Sequence, residues 1–263
     1  AILRLIFGVL LVYLGFKASG AIAASTLAGI ISFLLILVPL KFLFNKKGKP
    51  VDFDSSEIYK FFWPVLITIL CFTILINVDV IFVKHFFSPK QAGYYSAASL
   101  MGKIVLFFPA SFAMVMFSKT SELHAQNEQS SHVLKKSLLL VGLMCVAITI
   151  GYFVFPSFLI SIIYGQKYLA SAKWLGLFGI AMCMFSLINI LIHYYLSVQK
   201  LRFIPILVGA TILQVGVLWF VPFNPTQIIY VLIGISSLLL ISFTVVERSS
   251  VKQEGLREAV ERV

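Results

Sequence analysis

The sequence predicts an all-α polytopic membrane protein with eight transmembrane helices. Of its 263 residues, 60% are hydrophobic and only 12% are charged, whereas roughly 25% are charged in a typical soluble domain. The mean hydropathy is +1.01. A soluble protein of this length has too small an interior to hide that much apolar surface, so the surroundings of the folded chain must be lipid.

The eight helices follow from stretches that almost lack charged residues. About 20 apolar residues cross the ~30 Å hydrocarbon core of a bilayer. The last stretch, 203–246, is too long for one helix, and Pro222-Phe223-Asn224-Pro225 divides it, because proline ends one helix and starts the next. The predicted spans are 5–16, 18–40, 61–83, 91–118, 137–166, 174–199 and the two parts of 203–246.

The basic residues predict how the spans are oriented. When the loops are assigned alternately to two sides, fourteen Lys and Arg residues fall on one side and five on the other. By the positive-inside rule the richer side, which holds the connector 45–60 and the tail 247–263, is cytoplasmic. This assignment accounts for most of the net charge of +11, so no nucleic-acid partner is expected.

Enzyme functions find little support in the sequence. The loops on the predicted outer side are short, the phosphate-binding pattern G-x-x-x-x-G-K-[ST] is missing, and Asp52-Phe53-Asp54 matches a glycosyltransferase D-x-D pattern without a nucleotide-binding domain around it. We therefore expect no catalytic residues, no metal and no cofactor.

Lys103 has the predicted position with the highest free-energy cost for a charged side chain. It lies fourteen residues after Pro89, which places it ~20 Å along a helix and near the middle of the membrane. A charge there costs roughly 3 kcal/mol or more unless it meets water or a partner. Ser96 and Ser99 share its helix face. One interpretation is that this face lines a substrate cavity in which Lys103 attracts an anionic group. The other is that Lys103 has only a structural role, in which it pairs with a carboxylate or extends its long side chain towards the membrane surface.

Asp79 is the only acidic residue inside a predicted span. Its predicted depth is ~7 Å, so antiparallel helices would leave Asp79 and Lys103 ~10 Å apart in depth. Asp79 is either a proton, cation or gate residue, or an interfacial acid that caps a hairpin. Lys84 lies further along the same helix and is a second basic candidate.

Asn189 and His193 form another polar pair, one helical turn apart. They are expected either to face the substrate cavity or to satisfy each other by an internal hydrogen bond.

The helix that carries Lys103 also shows packing and capping signals. Gly93 with Ala97, and Ala98 with Gly102, are small residues four apart, which allow helices to approach closely. The sequence at 88–91 is Ser-Pro-Lys-Gln, which predicts a capped helix start with proline in the first turn.

Four segments carry a family resemblance. Asp79 is followed by Ala92-Gly93-Tyr94-Tyr95-Ser96-Ala97-Ala98 and Lys103, in the pattern D, loop, A-G-x-Y-x-x-A. The others are 4–21, 117–122 and Tyr164-Gly165-Gln166-Lys167-Tyr168. Together they resemble polysaccharide flippases of the Wzx type, from which Ser118 departs where a proline usually stands, and Tyr164 where Phe is usual.

The resemblance implies the fold of multidrug/oligosaccharidyl-lipid/polysaccharide exporters, with two six-helix bundles around a central cavity. The eight spans would be helices five to twelve. Residues 1–44 would then hold the last two helices of the first bundle, 45–60 a cytoplasmic linker, 61–246 the second bundle and 247–263 a cytoplasmic tail.

The implied activity is flipping of an oligosaccharide linked to undecaprenyl pyrophosphate across the bacterial cytoplasmic membrane, for surface polysaccharide or O-antigen. Expected partners are this lipid-linked substrate, membrane lipid, a coupling ion (H+ or Na+) and polysaccharide assembly enzymes. Two alternatives remain open: a cation-coupled multidrug or small-molecule antiporter of the same fold, and a membrane polysaccharide polymerase or ligase.

Overall fold

A computed structural model describes residues 2–11, 13–14, 17–44, 55–109, 115, 131–220 and 224–261. These residues form α-helices and two short 3-10 helices, with no strand among them. The α-helices are α1 (Ile2–Leu11), α2 (Lys17–Phe44), α3 (Ser55–Phe86), α4 (Pro89–Phe107), α5 (Ser131–Val154), α6 (Pro156–Tyr164), α7 (Ala172–Ser197), α8 (Ile204–Phe220) and α9 (Pro225–Glu261).

The chain divides into two compact units, Ala1–Ser55 and Ser56–Val263. In the N-terminal unit, α1 packs against α2. The buried positions of α2 include Gly20, Ala24 and Ala28, which are spaced four apart on one helix face. Small residues at this spacing allow two membrane helices to approach closely. The unit boundary falls inside the range 45–60 that was predicted as a linker, but residues 45–54 lie outside the described residues.

The C-terminal unit is organised around α7, which packs against α4, α5 and α9. Its side chains supply much of the core, with Leu175, Phe178, Met182, Phe185 and Ile188 fully buried. The outer helices instead expose large apolar side chains, such as Leu143 on α5 and Ile212 on α8. This distribution is typical of a bundle whose outer face contacts lipid.

Five helical segments of the described residues are long and apolar enough to cross a membrane: 62–86, 134–154, 166–197, 201–220 and 225–245. The all-α polytopic class is therefore confirmed. The count of eight is not, because the predicted spans 5–16, 18–40 and 91–118 are not among the five. In 91–118 the described helix α4 carries Lys103 and a polar face, which lower its hydropathy although charged residues are almost missing from it.

Two prolines mark helix boundaries. The break predicted at Pro222-Phe223-Asn224-Pro225 is confirmed, since α8 ends at Phe220 and α9 begins at Pro225. The single span predicted over 137–166 is wrong, because α5 ends at Val154 and α6 begins at Pro156. Proline lacks the backbone N–H that a continuing helix needs, but it is well suited to the first turn of a new one.

The start of α4 follows its capping signal. Ser88 is the N-cap, its side chain accepts a hydrogen bond from the Gln91 backbone N–H, and Pro89 occupies the first turn. The Ser88 hydroxyl in turn donates to Oε1 of Gln91 at 3.3 Å. This cap fixes the short turn between α3 and α4, so the two helices form a hairpin that positions the polar residues described below.

Of the predicted small-residue positions, Gly102 is the one at the tightest contact. A Cβ atom on Gly102 would lie 2.6 Å from Cβ of Phe178, whereas a Cβ on Gly93 would meet nothing within 4 Å. We expect Gly102→Ala to lower the free energy of unfolding by about 1–3 kcal/mol, because α4 and α7 must separate to admit the methyl group. Thermal unfolding of the purified protein in detergent measures this loss.

Gly93→Ala is the matched control for this prediction. It adds the same atom to the same helix in open space, and alanine favours a helix over glycine by about 1 kcal/mol. We therefore expect its melting temperature to stay level or rise. Equal losses in the two variants would show that the contact between α4 and α7 is not what limits position 102.

Candidate functional site

Polar residues of α3 and α4 are buried inside the otherwise apolar C-terminal unit. We call Asn77, Asp79, Tyr95, Ser99 and Lys103 the hairpin polar cluster. Asp79, Tyr95 and Ser99 are fully buried, Lys103 is 7% exposed and Asn77 is half-buried. Two hydrogen bonds between side chains join α3 to α4 within this cluster, at 3.0 and 2.8 Å.

Lys103 reaches back along the hairpin to a neutral partner. Its Nζ donates a 2.8 Å hydrogen bond to Oδ1 of Asn77. Among the described residues no carboxylate forms an ion pair with Lys103 within 4 Å, so Asp79 and Lys103 interact only as charges at longer range. The bond to Asn77 orients the ammonium group without neutralising it.

Asp79 has a different partner. Tyr95 donates from its hydroxyl to Oδ2 of Asp79 at 3.0 Å, while Oδ1 of Asp79 has no hydrogen-bond partner among the residues that the structure describes. The Tyr95 ring is held edge-on by Phe178 and Trp174, with centroid distances of 5.1 and 6.0 Å. The core of α7 therefore positions the hydroxyl that meets the buried carboxyl group.

Sequence reasoning missed a third polar contact, which comes from α8. Nε2 of Gln214 donates to the backbone oxygen of Leu75 at 2.8 Å, one turn before Asp79, and Gln214 is fully buried. Within the described part of the chain, neither Oε1 of Gln214 nor Oγ of Ser99 has a hydrogen-bond partner. The signal for Gln214 was an uncharged amide inside a long apolar stretch, which a search for charged residues passes over. Unpaired acceptors of this kind are uncommon in protein interiors.

The other predicted site residues lie outside the hairpin polar cluster. Ser96 is half-buried on α4, and Lys84 is exposed in the last turn of α3. On α7, Nδ1 of His193 lies 2.8 Å from the backbone oxygen of Asn189. A carbonyl oxygen can only accept, so this contact places a proton on Nδ1. This hydrogen bond uses the backbone of Asn189 and not its side chain, so both alternatives for the pair stay open.

The cluster combines a buried ammonium group and a buried carboxyl group, each with a hydrogen-bond partner on the neighbouring helix. Within the described ranges no three His, Cys, Asp or Glu side chains come together as metal ligands would. The Lys103 ammonium group can exchange its amide partner for another one. The Asp79 carboxyl group, which is bound by a phenol, can gain or lose a proton.

The comparisons with known proteins place the chain in a family. A family model described as "Polysaccharide biosynthesis protein" matches residues 1–173, a range that contains the whole hairpin polar cluster. No curated protein and no solved structure matches the chain.

Proposed function

We propose that this chain, which belongs to the polysaccharide biosynthesis protein family, is part of a transporter that flips a lipid-linked oligosaccharide from the cytoplasmic to the outer leaflet. The observation that carries the proposal is the family match in a chain whose described residues include five helices able to span a membrane. Within a polysaccharide pathway, such a chain fits the step that moves an intermediate across the bilayer by alternating access.

The proposed substrate is an oligosaccharide on undecaprenyl pyrophosphate in the bacterial cytoplasmic membrane. The negative charge of the pyrophosphate must be compensated by a cation while the substrate crosses the membrane. Among the described residues of the C-terminal unit, Lys103 is a buried ammonium group that can do this. A charge-assisted hydrogen bond to phosphate is roughly twice as strong as a bond between neutral groups. Lys103 can therefore exchange Asn77 for the substrate when the helices move.

Asp79 supports a coupling role within the same proposal. This carboxyl group is fully buried, and one of its oxygens has no partner among the described residues. A buried carboxyl group of this kind is stabilised by taking up a proton or a small cation. A coupling ion, H+ or Na+, would bind there. The same observation favours the second candidate function, a cation-coupled small-molecule antiporter.

Deletion of the gene that encodes this chain separates the candidates. For a flippase we expect surface polysaccharide to disappear while the lipid-linked oligosaccharide is still made and accumulates, because synthesis precedes transport. Lipids are extracted from the deletion strain and from the complemented strain, and the lipid-linked oligosaccharide is quantified by mass spectrometry.

Two outcomes would contradict the proposal. Failure to make the lipid-linked oligosaccharide at all would indicate a biosynthetic enzyme. Normal surface polysaccharide together with increased sensitivity to toxic cations or drugs would indicate an antiporter.

A further inference from the structure

A pocket of about 610 Å³ opens at the end of the C-terminal unit where α4, α7 and α9 begin. Its lining comes from three separate chain segments, which include Lys90, Lys173 and Asn224. The hairpin polar cluster contributes no residue to this lining, so the pocket is a separate site. By the positive-inside assignment this end of the bundle is the outer one.

The charge of the pocket is uniformly positive. Lys90 and Lys173 line it, no acidic residue does, and among the described residues neither lysine has an acidic partner within 4 Å. The sequence contains no Asp or Glu between Asp79 and Glu122 or between Glu128 and Glu247. No carboxylate from the loops at this end therefore opposes the two ammonium groups.

Aromatic and polar groups form the rest of the wall. The Lys173 ammonium lies 4.5 Å from the ring centroid of Trp174, and Nε1 of Trp174 donates to the Thr226 hydroxyl at 2.9 Å. On the opposite segment the Lys90 ammonium lies 6.0 Å from the Tyr94 ring. Each ring restrains a lysine beside the cavity, and Trp and Tyr are the residues that concentrate at the level of lipid headgroups.

We propose that this pocket binds the phosphate group of a lipid at the outer membrane surface. Two ammonium groups are suited to a phosphate monoester, diester or diphosphate, since lysine binds phosphate as a point charge. The first turns of α4, α7 and α9 add to the positive potential, because helix N-termini favour anions. The phosphate has two possible sources, a phospholipid of the bilayer or an isoprenoid diphosphate, and the proposal does not depend on flippase activity.

Native mass spectrometry of the purified full-length protein tests the pocket. The probes are phosphatidylglycerol, an isoprenoid diphosphate and, as a lipid without phosphate, diacylglycerol. We expect wild-type protein to retain one or both phosphate lipids in preference to diacylglycerol. K90Q/K173Q is expected to weaken that retention about tenfold, because each lost ammonium removes an attraction to phosphate, and solvent reduces this attraction at two exposed lysines. The matched control K135Q/K136Q removes two exposed lysines of α5 and should bind as wild type.

The pattern of losses identifies the source. If the lysine variants bind only the diphosphate more weakly, the pocket is assigned to isoprenoid carriers. If they bind only phosphatidylglycerol more weakly, it is assigned to bilayer headgroups. Weaker binding of both lipids assigns it to phosphate in general. If K90Q/K173Q does not fold, K90Q and K173Q are measured singly, with about threefold losses expected. Equal binding of every phosphate lipid by wild-type protein and the folded lysine variants would overturn the proposal.

Discussion

A Lys103→Met variant of the encoded full-length protein is expected to restore less than about a tenth of the wild-type surface polysaccharide in a deletion strain. Methionine preserves most of the side-chain volume but removes the buried ammonium group that donates to Asn77. One lost charge-assisted contact to a pyrophosphate is worth about 1.5–3 kcal/mol, which corresponds to tenfold or more in transport. Polysaccharide is quantified at matched protein abundance.

Two further variants separate a transport role of Lys103 from a structural one. Lys135→Met removes an exposed lysine of α5 and should restore polysaccharide fully. Asn77→Leu combined with Lys103→Met removes both hydrogen-bond partners, so neither is left unpaired and abundance should recover while transport does not. Full restoration of polysaccharide by Lys103→Met or by the double variant would show that the ammonium group has no part in transport.

Tyr95→Phe is expected to lower the free energy of unfolding by about 1–3 kcal/mol, the cost of leaving a buried hydrogen-bonding group without its partner. Within the described residues, the Tyr95 hydroxyl is the only side-chain donor to Asp79, which is fully buried. Its loss leaves both carboxyl oxygens without a side-chain donor. Thermal unfolding in detergent measures the effect.

Tyr94→Phe is the control for this variant, because it removes a hydroxyl from the adjacent residue while retaining the edge-on ring contact with Tyr168. It should unfold as wild type. Tyr95→Phe combined with Asp79→Leu should recover most of the lost stability, since no polar group is then left alone. If the double variant is as unstable as Tyr95→Phe, the loss arises from packing and not from the buried carboxyl group.

Composition and proline positions were sufficient to predict the fold class and two of its boundaries. The low charge content predicted helices in lipid, and Pro225 marked the start of α9 because proline suits a first helical turn. The break before Pro156 was not predicted, because the residues on both sides of it are apolar. Hydrophobicity alone does not show whether one helix or two helices form such a stretch. For α4, the low charge content predicted a membrane span, whereas its hydropathy does not. The two criteria differ because serine and tyrosine lower hydropathy without adding charge.

Asp79, Ser99 and Lys103 of the cluster were predicted from the sequence, but their hydrogen-bond partners were not. Depth along the two helices separated Asp79 and Lys103 by ~10 Å and left a direct contact between them open. Among the described residues, the structure shows each of them with another hydrogen-bond partner. The partner of Lys103, Asn77, lies two residues before Asp79 and deeper in the hairpin, within reach of the flexible lysine side chain. Tyr95 was named only within the segment that carries the family resemblance, because the ring contacts from α7 that aim its hydroxyl at Asp79 are tertiary.

Reconstitution tests the proposed flipping activity most directly. The encoded full-length protein and its lipid-linked oligosaccharide are placed in sealed liposomes, and a membrane-impermeant glycosidase reports the fraction of the substrate exposed on the outside. In protein-free liposomes about half of a symmetrically distributed lipid is accessible. Wild-type protein is expected to raise this fraction to nearly all of the substrate, whereas Lys103→Met is expected to leave it near half. Substrate that stays about half accessible with folded wild-type protein, under imposed H+ and Na+ gradients as well as without them, would contradict the proposed flipping activity.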